Sequence, residues 1–387
     1  MTSILDLATD REREYLEAVK KHGSQPDAAK ALGVNKRTLE RGLARLKRRA
    51  ARRGYSPEHD MVKTAPDGFL VKGTSTLYTN GDDGTKVAAQ WVKTSIDGER
   101  QAELVREAVM AACENIKPEK PVGLPKASNS ELLNLYVITD YHLGARCWPE
   151  ETGDDPWDTE IAEDLLVRWF GAAIKSSPEA DTAVLAQLGD FLDHDGLIPV
   201  TPTSGNIMDA DSRYQKMGRV AIRVLRRVVG MLLSKHQRVH VLMAEGNHDI
   251  TSSVWLREIF YELYRDEPRV TVDRSADIYY CVEHGEVSLF FHHGHLKKPR
   301  AGIESVFAAK FREVFGRTKH SYAHMGHLHH IDVKENELMV VEQHRTLSAR
   351  NAHESRGGWI SGRDAKVVTY HRKFGRVGEQ VISPQMV

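Results

Sequence analysis

Several apolar runs in this chain stop abruptly against residues that bind metals or move protons. Asp140-Tyr141-His142 follows the run 133–139, and Gly189-Asp190-Phe191-Leu192-Asp193 follows 183–188. Gly246-Asn247-His248-Asp249 closes the run 239–244, while His292-His293-Gly294-His295 and Gly326-His327-Leu328-His329 follow 287–291 and 321–325. Alternate residues on an extended backbone point the same way, so D-x-H and H-x-H are each expected to send two side chains into one pocket. Carboxylates, an amide and imidazoles form a mixed oxygen and nitrogen donor set, which suits manganese, iron or zinc and disfavours calcium. A site for two such ions needs about seven converging ligands, with one carboxylate bridging both. Eight of the 19 histidines fall between His292 and His330. The three cysteines (Cys113, Cys147, Cys281) are too scattered to make a thiolate site.

Any one block is weak evidence, but D-x-H, G-D-x-x-D, G-N-H-[DE], H-G and G-H-x-H stand here in that order across roughly residues 133–345. In this the chain resembles a calcineurin-like metallophosphoesterase. The resemblance implies an α/β fold, a layered β-sandwich flanked by helices, and two divalent ions: manganese, with iron or zinc as alternatives. It implies Asp140, His142, Asp190 and His329 around one ion, and Asp190 (bridging), Asn247, His293 and His327 around the other. Its position before Gly294 selects His293 over the adjoining His292 and His295. His248 is then not a ligand. The resemblance implies that it donates a proton to the leaving-group oxygen or stabilises the transition state, with orientation and charge maintained by the Asp193 carboxylate. The implied reaction is in-line attack of a metal-bound hydroxide on phosphorus. Asp249 receives no role, and His194, His295, His324 and His330 are placed behind the ligands or at the surface.

These residues need strands to carry them. Strands are expected at 133–139, 183–188, 239–244, 279–282, 287–291 and 321–325, with amphipathic helices near 158–175, 209–234, 253–265 and 303–315. A β-rich tail follows (331–343, 365–370, 378–382). Strands separated by helices and then joined by antiparallel strands predict a layered α/β body. Residues 195–212 read as a long loop between Asp190 and Asn247, and loops of that length inside a compact domain are commonly functional; this one is expected to help shape the substrate cleft.

The head of the chain has a different character. Residues 1–53 hold 14 Lys/Arg against 7 Asp/Glu, a net of +7 that leaves −7 for the remainder of a formally neutral chain. Helices are expected at 10–21, after Gln25-Pro26, and from an Asn35 N-cap to about residue 50. On the last, Leu39, Leu43 and Leu46 share one face while arginines cluster opposite. The pattern A-A-x-x-L-G-V then R-T-L-x-R resembles a helix-turn-helix DNA-binding module. It implies Lys36, Arg37, Thr38 and Arg41 approaching the major groove, with the run from Arg45 to Arg53, Arg48 and Arg49 included, on phosphates. Residues 69–94 alternate like a hairpin around Asn80-Gly84, either a wing or a connector, and a helix is expected near 98–113. The organisation expected is a helical module at 1–54, a hairpin plus helix at 55–113, a proline-containing linker at 114–131 and a catalytic domain at 132–387.

Apolar content of 41% and charged content of 28% are ordinary for a globular protein. No run reaches the ~20 apolar residues of a membrane span and no signal-peptide pattern opens the chain, so a cytoplasmic protein without membrane partners is expected. Tethering a phosphoesterase to a DNA-binding module raises its local concentration on DNA. The expected function is therefore a metal-dependent phosphodiesterase acting on DNA, similar to the repair nucleases of this family; the overall arrangement is also similar to bacteriophage-encoded proteins. Two alternatives stand beside it: a phosphomonoesterase or small-nucleotide diesterase, and a DNA-binding regulator whose phosphoesterase body is structural.

Overall fold

A computed structural model describes residues 4–57, 61–62, 65, 69–81, 84–97, 100, 103, 118–120, 122–125, 128–202, 205–296 and 302–387. The chain divides into two compact units, Met1–Ala108 and Val109–Val387.

The first unit opens with helices α1 (Asp10–His22), α2 (Gln25–Ala31) and α3 (Lys36–Arg52). Each begins at a side-chain cap: Thr9 forms a capping box with Glu12, Ser24 caps α2, and the Asn35 side chain accepts from the Arg37 N–H at 2.9 Å. Tyr15, Ala18, Ala28, Ala29, Leu39 and Leu43 make the shared core. Gly42 is where α1 and α3 touch most closely, since a Cβ there would lie 2.8 Å from the Tyr15 ring. After a short antiparallel pair, β1 (Tyr55–Ser56) with β2 (Met61–Val62), strands β3 (Phe69–Gly81) and β4 (Gly84–Ile96) form a two-stranded ribbon. Its register shifts after Val71 and after Leu77, where the alternation of apolar residues is interrupted. The helix expected near 98–113 and Cys113 fall almost wholly outside the described residues.

The second unit is built on two sheets. The larger has six strands: β5 (Asn129–Ile138), β6 (Ala180–Gln187), β7 (Arg238–Met243) and β8 (Val270–Val272) run parallel, and β14 (Ala365–His371) and β15 (Gly375–Ile382) extend it antiparallel beyond β5. The smaller has five, in the order β12 (Asp332–Glu335), β13 (Val340–Gln343), β11 (His320–Met325), β10 (Val287–His292) and β9 (Tyr280–His284). Leu133, Leu135, Val184, Leu242, Leu289, Phe291 and Tyr370 fill the space between them. The alternate residue Phe290 faces outward onto Ile303 and Phe307 of helix α8 (Ile303–Lys310). Side chains of this size contribute roughly 1.5–3 kcal/mol each when removed from water. Helices α5 (Thr159–Ser176) and α6 (Tyr214–Lys235) bury their own apolar stripes, including Trp169, Phe170, Val224 and Val228. The layered sandwich flanked by helices is therefore the fold observed.

Several boundaries move. The helix expected from 209 begins at Tyr214, because residues 209–211 pair with the loop after His142 (Arg146 N–H to Asp209 C=O, 2.8 Å; Asp211 N–H to Gly144 C=O, 2.9 Å). The helix expected over 303–315 breaks at Phe311 (φ −110°, ψ 41°) into α8 and α9 (Arg312–Arg317), and that ring packs on Phe290. The last residues of the expected linker, Asn129–Glu131, already pair in β5. Strand β8 and the short helices α4 (Pro149–Thr152) and α10 (Ala352–Gly357) have too few residues to show a period. Among the described residues no helix is long and apolar enough to cross a membrane.

Candidate metal centre

Five non-glycine residues of the described chain have positive φ, and all five belong to the expected ligand set: Asp140 (50°), His142 (45°), Asp190 (51°), His327 (76°) and His329 (53°). An L-residue in this region costs about 1–2 kcal/mol. The finding corrects the reason expected for convergence. Both ends of D-x-H and both ends of H-x-H are left-handed, so the chain coils back on itself after each strand and does not continue extended.

Neighbouring loops hold this coiling in place. Asp140 and His142 donate their N–H groups to the carbonyls of Gly189 and Asp190, both at 3.1 Å, and Leu143 donates to Phe191 at 2.8 Å. The Asp140 carbonyl accepts from Thr346 Oγ1 (2.6 Å) and Ser348 Oγ (3.0 Å). Close approach also requires glycine at two positions. A Cβ on Gly246 would lie 2.1 Å from Asp190 Oδ1, and one on Gly326 would lie 2.6 Å from Asp140 Oδ2.

Donor atoms gather in two adjoining groups, Asp140/His142/His329 and Asp190/His293/His327, and a third, His142/Asp193/His248, overlaps the first. His329 Nε2 is 3.2 Å from Asp140 Oδ1, and His293 Nε2 is 3.1 Å from Asp190 Oδ2, 3.2 Å from Asn247 Oδ1 and 3.9 Å from Asp140 Oδ1. Donors at about 2.1 Å from one ion lie about 3 Å from their neighbours, so this spacing fits a shared cation. Asp140 Oδ1 is buried with no hydrogen-bond donor, which is what a metal ligand looks like without its metal. Burial opposes ionisation of Asp140 and Asp190, yet the surrounding imidazoles hold both carboxyls below the usual range. Burial also opposes a charged His293, but Asp190 and Asp140 outweigh it and raise the ring to about 9. Two buried carboxylates thus already draw positive charge into the centre.

The tautomers follow from the far sides of the rings. His293 Nδ1 donates to the Leu188 carbonyl at 2.8 Å, and His329 Nδ1 is held by the Glu354 carboxylate. Each ring is left with Nε2 turned to the carboxylates, the arrangement metal-binding histidines require. His327 donates its main-chain N–H to Asp140 Oδ2 at 2.8 Å, and burial, then His293, lowers its ring to about 4.

His248 stands beside these groups, with Nε2 4.0 Å from Asp190 Oδ2 and its side chain 16% exposed where Asp190 is 2%. Its Nδ1 donates to the main-chain carbonyl of Asp193 at 2.8 Å. The geometry adds a main-chain partner to the expected one. The Asp193 carboxylate lies 3.4 Å from His142 Nδ1 and 3.7 Å from His194 Nδ1 and within 4.8 Å of a His248 ring nitrogen, so it stands between His142 and His248 while its peptide group orients the latter. His324, expected behind the ligands or at the surface, is buried between the sheets and bonds His344 and Tyr370, each at 2.8 Å. Its neighbour Glu342 is already paired with Lys366 (2.6 Å) and Arg376 (2.8 Å), so that cluster has its cations built in.

Two important residues went unassigned in the sequence. Asp249 accepts main-chain N–H groups from Asp190 (3.1 Å), Phe191 (2.7 Å), Leu192 (3.3 Å) and Gly246 (3.1 Å), tying two site loops together. Nothing in sequence spacing points to it beyond its place in the block. Glu354 had a legible signal: Asn351-x-x-Glu354 is a capping box, and it sets α10 under His329.

In the first unit Lys36, Arg37, Thr38, Arg41, Arg45 and Arg48 are all exposed along α3. Arg49 is turned back onto Glu12 and the Leu7 carbonyl (2.8 Å), away from the row of phosphate contacts expected of it.

No family model matches the chain, and no curated protein does. Among solved structures it is similar to a phosphoesterase predicted in Streptococcus pneumoniae (13% identity, 66% of this chain and 100% of that one, TM-score 0.25). An archaeal phosphodiesterase (12%, 64% and 99%, TM-score 0.33) and zinc-complexed Vps29 from Entamoeba histolytica (11%, 65% and 99%, TM-score 0.26) also match. Identities and TM-scores this low transfer no activity, so the functional reading rests on the site.

Proposed function

We propose that the second unit is a dinuclear metal-dependent phosphodiesterase and that DNA is its substrate, engaged in addition by a helix-turn-helix head. One observation carries the reading: the two donor groups meet at one end of the sandwich, with His248 Nε2 beside Asp190. Asp140, His142, Asp190 and His329 would hold one ion, and Asp190, Asn247, His293 and His327 the other. Manganese, iron or zinc suits the donors. When bound, the ions supply a water acidic enough to act near neutral pH and positive charge against the phosphoryl oxygens.

The chain's own groups do the rest. The hydrogen bond from Nδ1 to the Asp193 carbonyl leaves His248 Nε2 facing the substrate side, accepting when neutral and donating when the imidazolium forms. An arriving phosphate favours the imidazolium, which then gives its proton to the leaving oxygen. Asp249 keeps the Asp190 and Asn247 loops at a fixed separation. Exposed cations on α3 supply the polyanion contact in the head.

The test is incubation of linear, nicked and single-stranded DNA with the full chain and manganese, beside the His248→Ala and Asp190→Ala variants. Degradation by the wild type alone is expected; degradation that persists equally in both variants sinks the reading. Turnover of bis-p-nitrophenyl phosphate over p-nitrophenyl phosphate separates it from a monoesterase. A purely structural body is disfavoured by a donor set in which no ligand is missing.

A further inference from the structure

Helix α6 carries six cations and no acidic residue over its 22 positions. Arg213, Gln215, Lys216, Arg219, Val220 and Arg223 line one groove of about 540 Å³ at its N-terminal end. Arg223 is spoken for by Glu163, and further along Arg226 pairs with Glu119. Arg213, Lys216 and Arg219 are exposed and meet no carboxylate among the described residues. The nearby Asp211 carboxylate is engaged by the Thr159 N–H at 3.1 Å. Three unpaired cations side by side repel one another, and the N-terminal partial charge of α6 has the same sign. Among the described residues no carboxylate bonds to any of the three. An anion with several separated charges would offset the repulsion.

The helical turn that carries the groove is fastened at two points to segments next to the metal centre. Met217 packs so closely on Gly144, two residues after His142, that a Cβ there would lie 2.3 Å from its sulfur. The Tyr214 hydroxyl meets Ser252 Oγ at 2.7 Å and accepts from Trp255 Nε1 at 3.0 Å, both on α7 (Ile250–Tyr264), which starts just after His248 and Asp249. The first turn of α6 is thus fastened to the loops that carry His142 and His248.

We propose that this groove binds the phosphodiester backbone of DNA, leading the strand to the metal centre; the substrate part of the proposal rests on the function proposed above. A monoester or a single nucleotide is too small to use both places. Arg213, Lys216 and Arg219 recur every third residue, so the same end of the helix offers three cations to the phosphates of a strand.

The test uses the full chain with Lys36, Arg37, Arg41, Arg45 and Arg48 replaced by Ala, so that the head no longer dominates binding. In that background, anisotropy of a fluorescein-labelled 30-base-pair duplex is compared before and after R213E/K216E/R219E, across a range of salt concentrations. Affinity is expected to fall at least about tenfold, and the slope of log affinity against log salt to shrink by about 3. R213K/R219K, which keeps the charges, is expected to retain binding. The ratio of kcat/KM on DNA to that on bis-p-nitrophenyl phosphate should fall in step. Unchanged affinity and slope in the charge-reversed protein overturn the groove. Binding lost together with R213K/R219K also overturns it, since a charge-based site tolerates that exchange. Failure of the parent protein to hydrolyse either substrate removes the catalytic reading instead, and the anisotropy result still decides the groove.

Discussion

Asp249 Oδ1 accepts the main-chain N–H of Asp190 at 3.1 Å, so the last residue of Gly-Asn-His-Asp holds the first carboxylate of Gly-Asp-x-x-Asp. Three more N–H groups, from Phe191, Leu192 and Gly246, end on the same side chain. Asp249→Ala leaves four buried donors unmatched. Unfolding of the second unit in urea should be about 3 kcal/mol easier, since each stranded donor costs about 1–3 kcal/mol and the loops relax in part. A change below about 0.5 kcal/mol would mean that the clamp is incidental.

His329 has its outer nitrogen on the Glu354 carboxylate. Glu354→Gln keeps the size and removes the charge, and metal affinity should drop about 10- to 100-fold. Isothermal titration with manganese reads this directly. Equal affinity in the two proteins would place Glu354 in the capping box alone.

Asp193 and His248 should separate in experiment, although the resemblance pairs them. Burial lowers His248, and the charge of the Asp193 carboxylate, which lies against His142, raises it in part; the ring is itself bonded to the Asp193 peptide carbonyl. Asp193→Asn is therefore expected to weaken metal binding and, at saturating metal, to move the kcat pH profile to lower pH while keeping most of kcat. His248→Ala should lower kcat by about 10²- to 10⁴-fold without releasing metal. The opposite pattern would make the carboxylate the main partner of His248.

In the first unit, Arg49 holds the Glu12 carboxyl near 2 against an ordinary 4.5. The folded value is the lower one, so the stabilisation is present above about pH 4.5 and is lost as pH falls towards 2. Arg49 is 42% exposed, and solvent screening reduces the effect to about 1 kcal/mol. Hydrogen exchange of α1 and α3 in the full chain should accelerate between pH 4.5 and pH 2 beyond its intrinsic pH dependence, and Glu12→Gln should erase that excess. An identical excess in Glu12→Gln would assign it to another group.

Leu197, Ile198 and Ile207 are 73%, 54% and 89% exposed on the loop that precedes α6. Apolar side chains held in water at this position suit contact with substrate. Replacing residues 197–207 by a short Gly/Ser link should alter relative rates on different diesters while manganese content stays at the wild-type level. Unchanged kinetics on every substrate removes the role.

Periodicity was enough to read the strands of the sandwich, the three capped helices of the head and the ends at which chemistry collects, because these depend on contacts between near neighbours in the chain. Residue types and their order were enough to show a family resemblance, and that resemblance implies Asp140, His142, Asp190, Asn247, His293, His327 and His329 as one candidate ligand set. Only the tertiary structure decided how they converge. Left-handed φ at Asp140, His142, Asp190, His327 and His329 goes with loops that hydrogen-bond far along the sequence, as Asp140 does with Gly189 and, 206 residues away, with Thr346. The same distance in sequence hid the work of Asp249 and Glu354, set the Asp193 carboxylate between His142 and His248, and gathered Arg213, Lys216 and Arg219 around one groove. A lone carboxylate or arginine carries no period; its meaning comes from what the fold sets beside it.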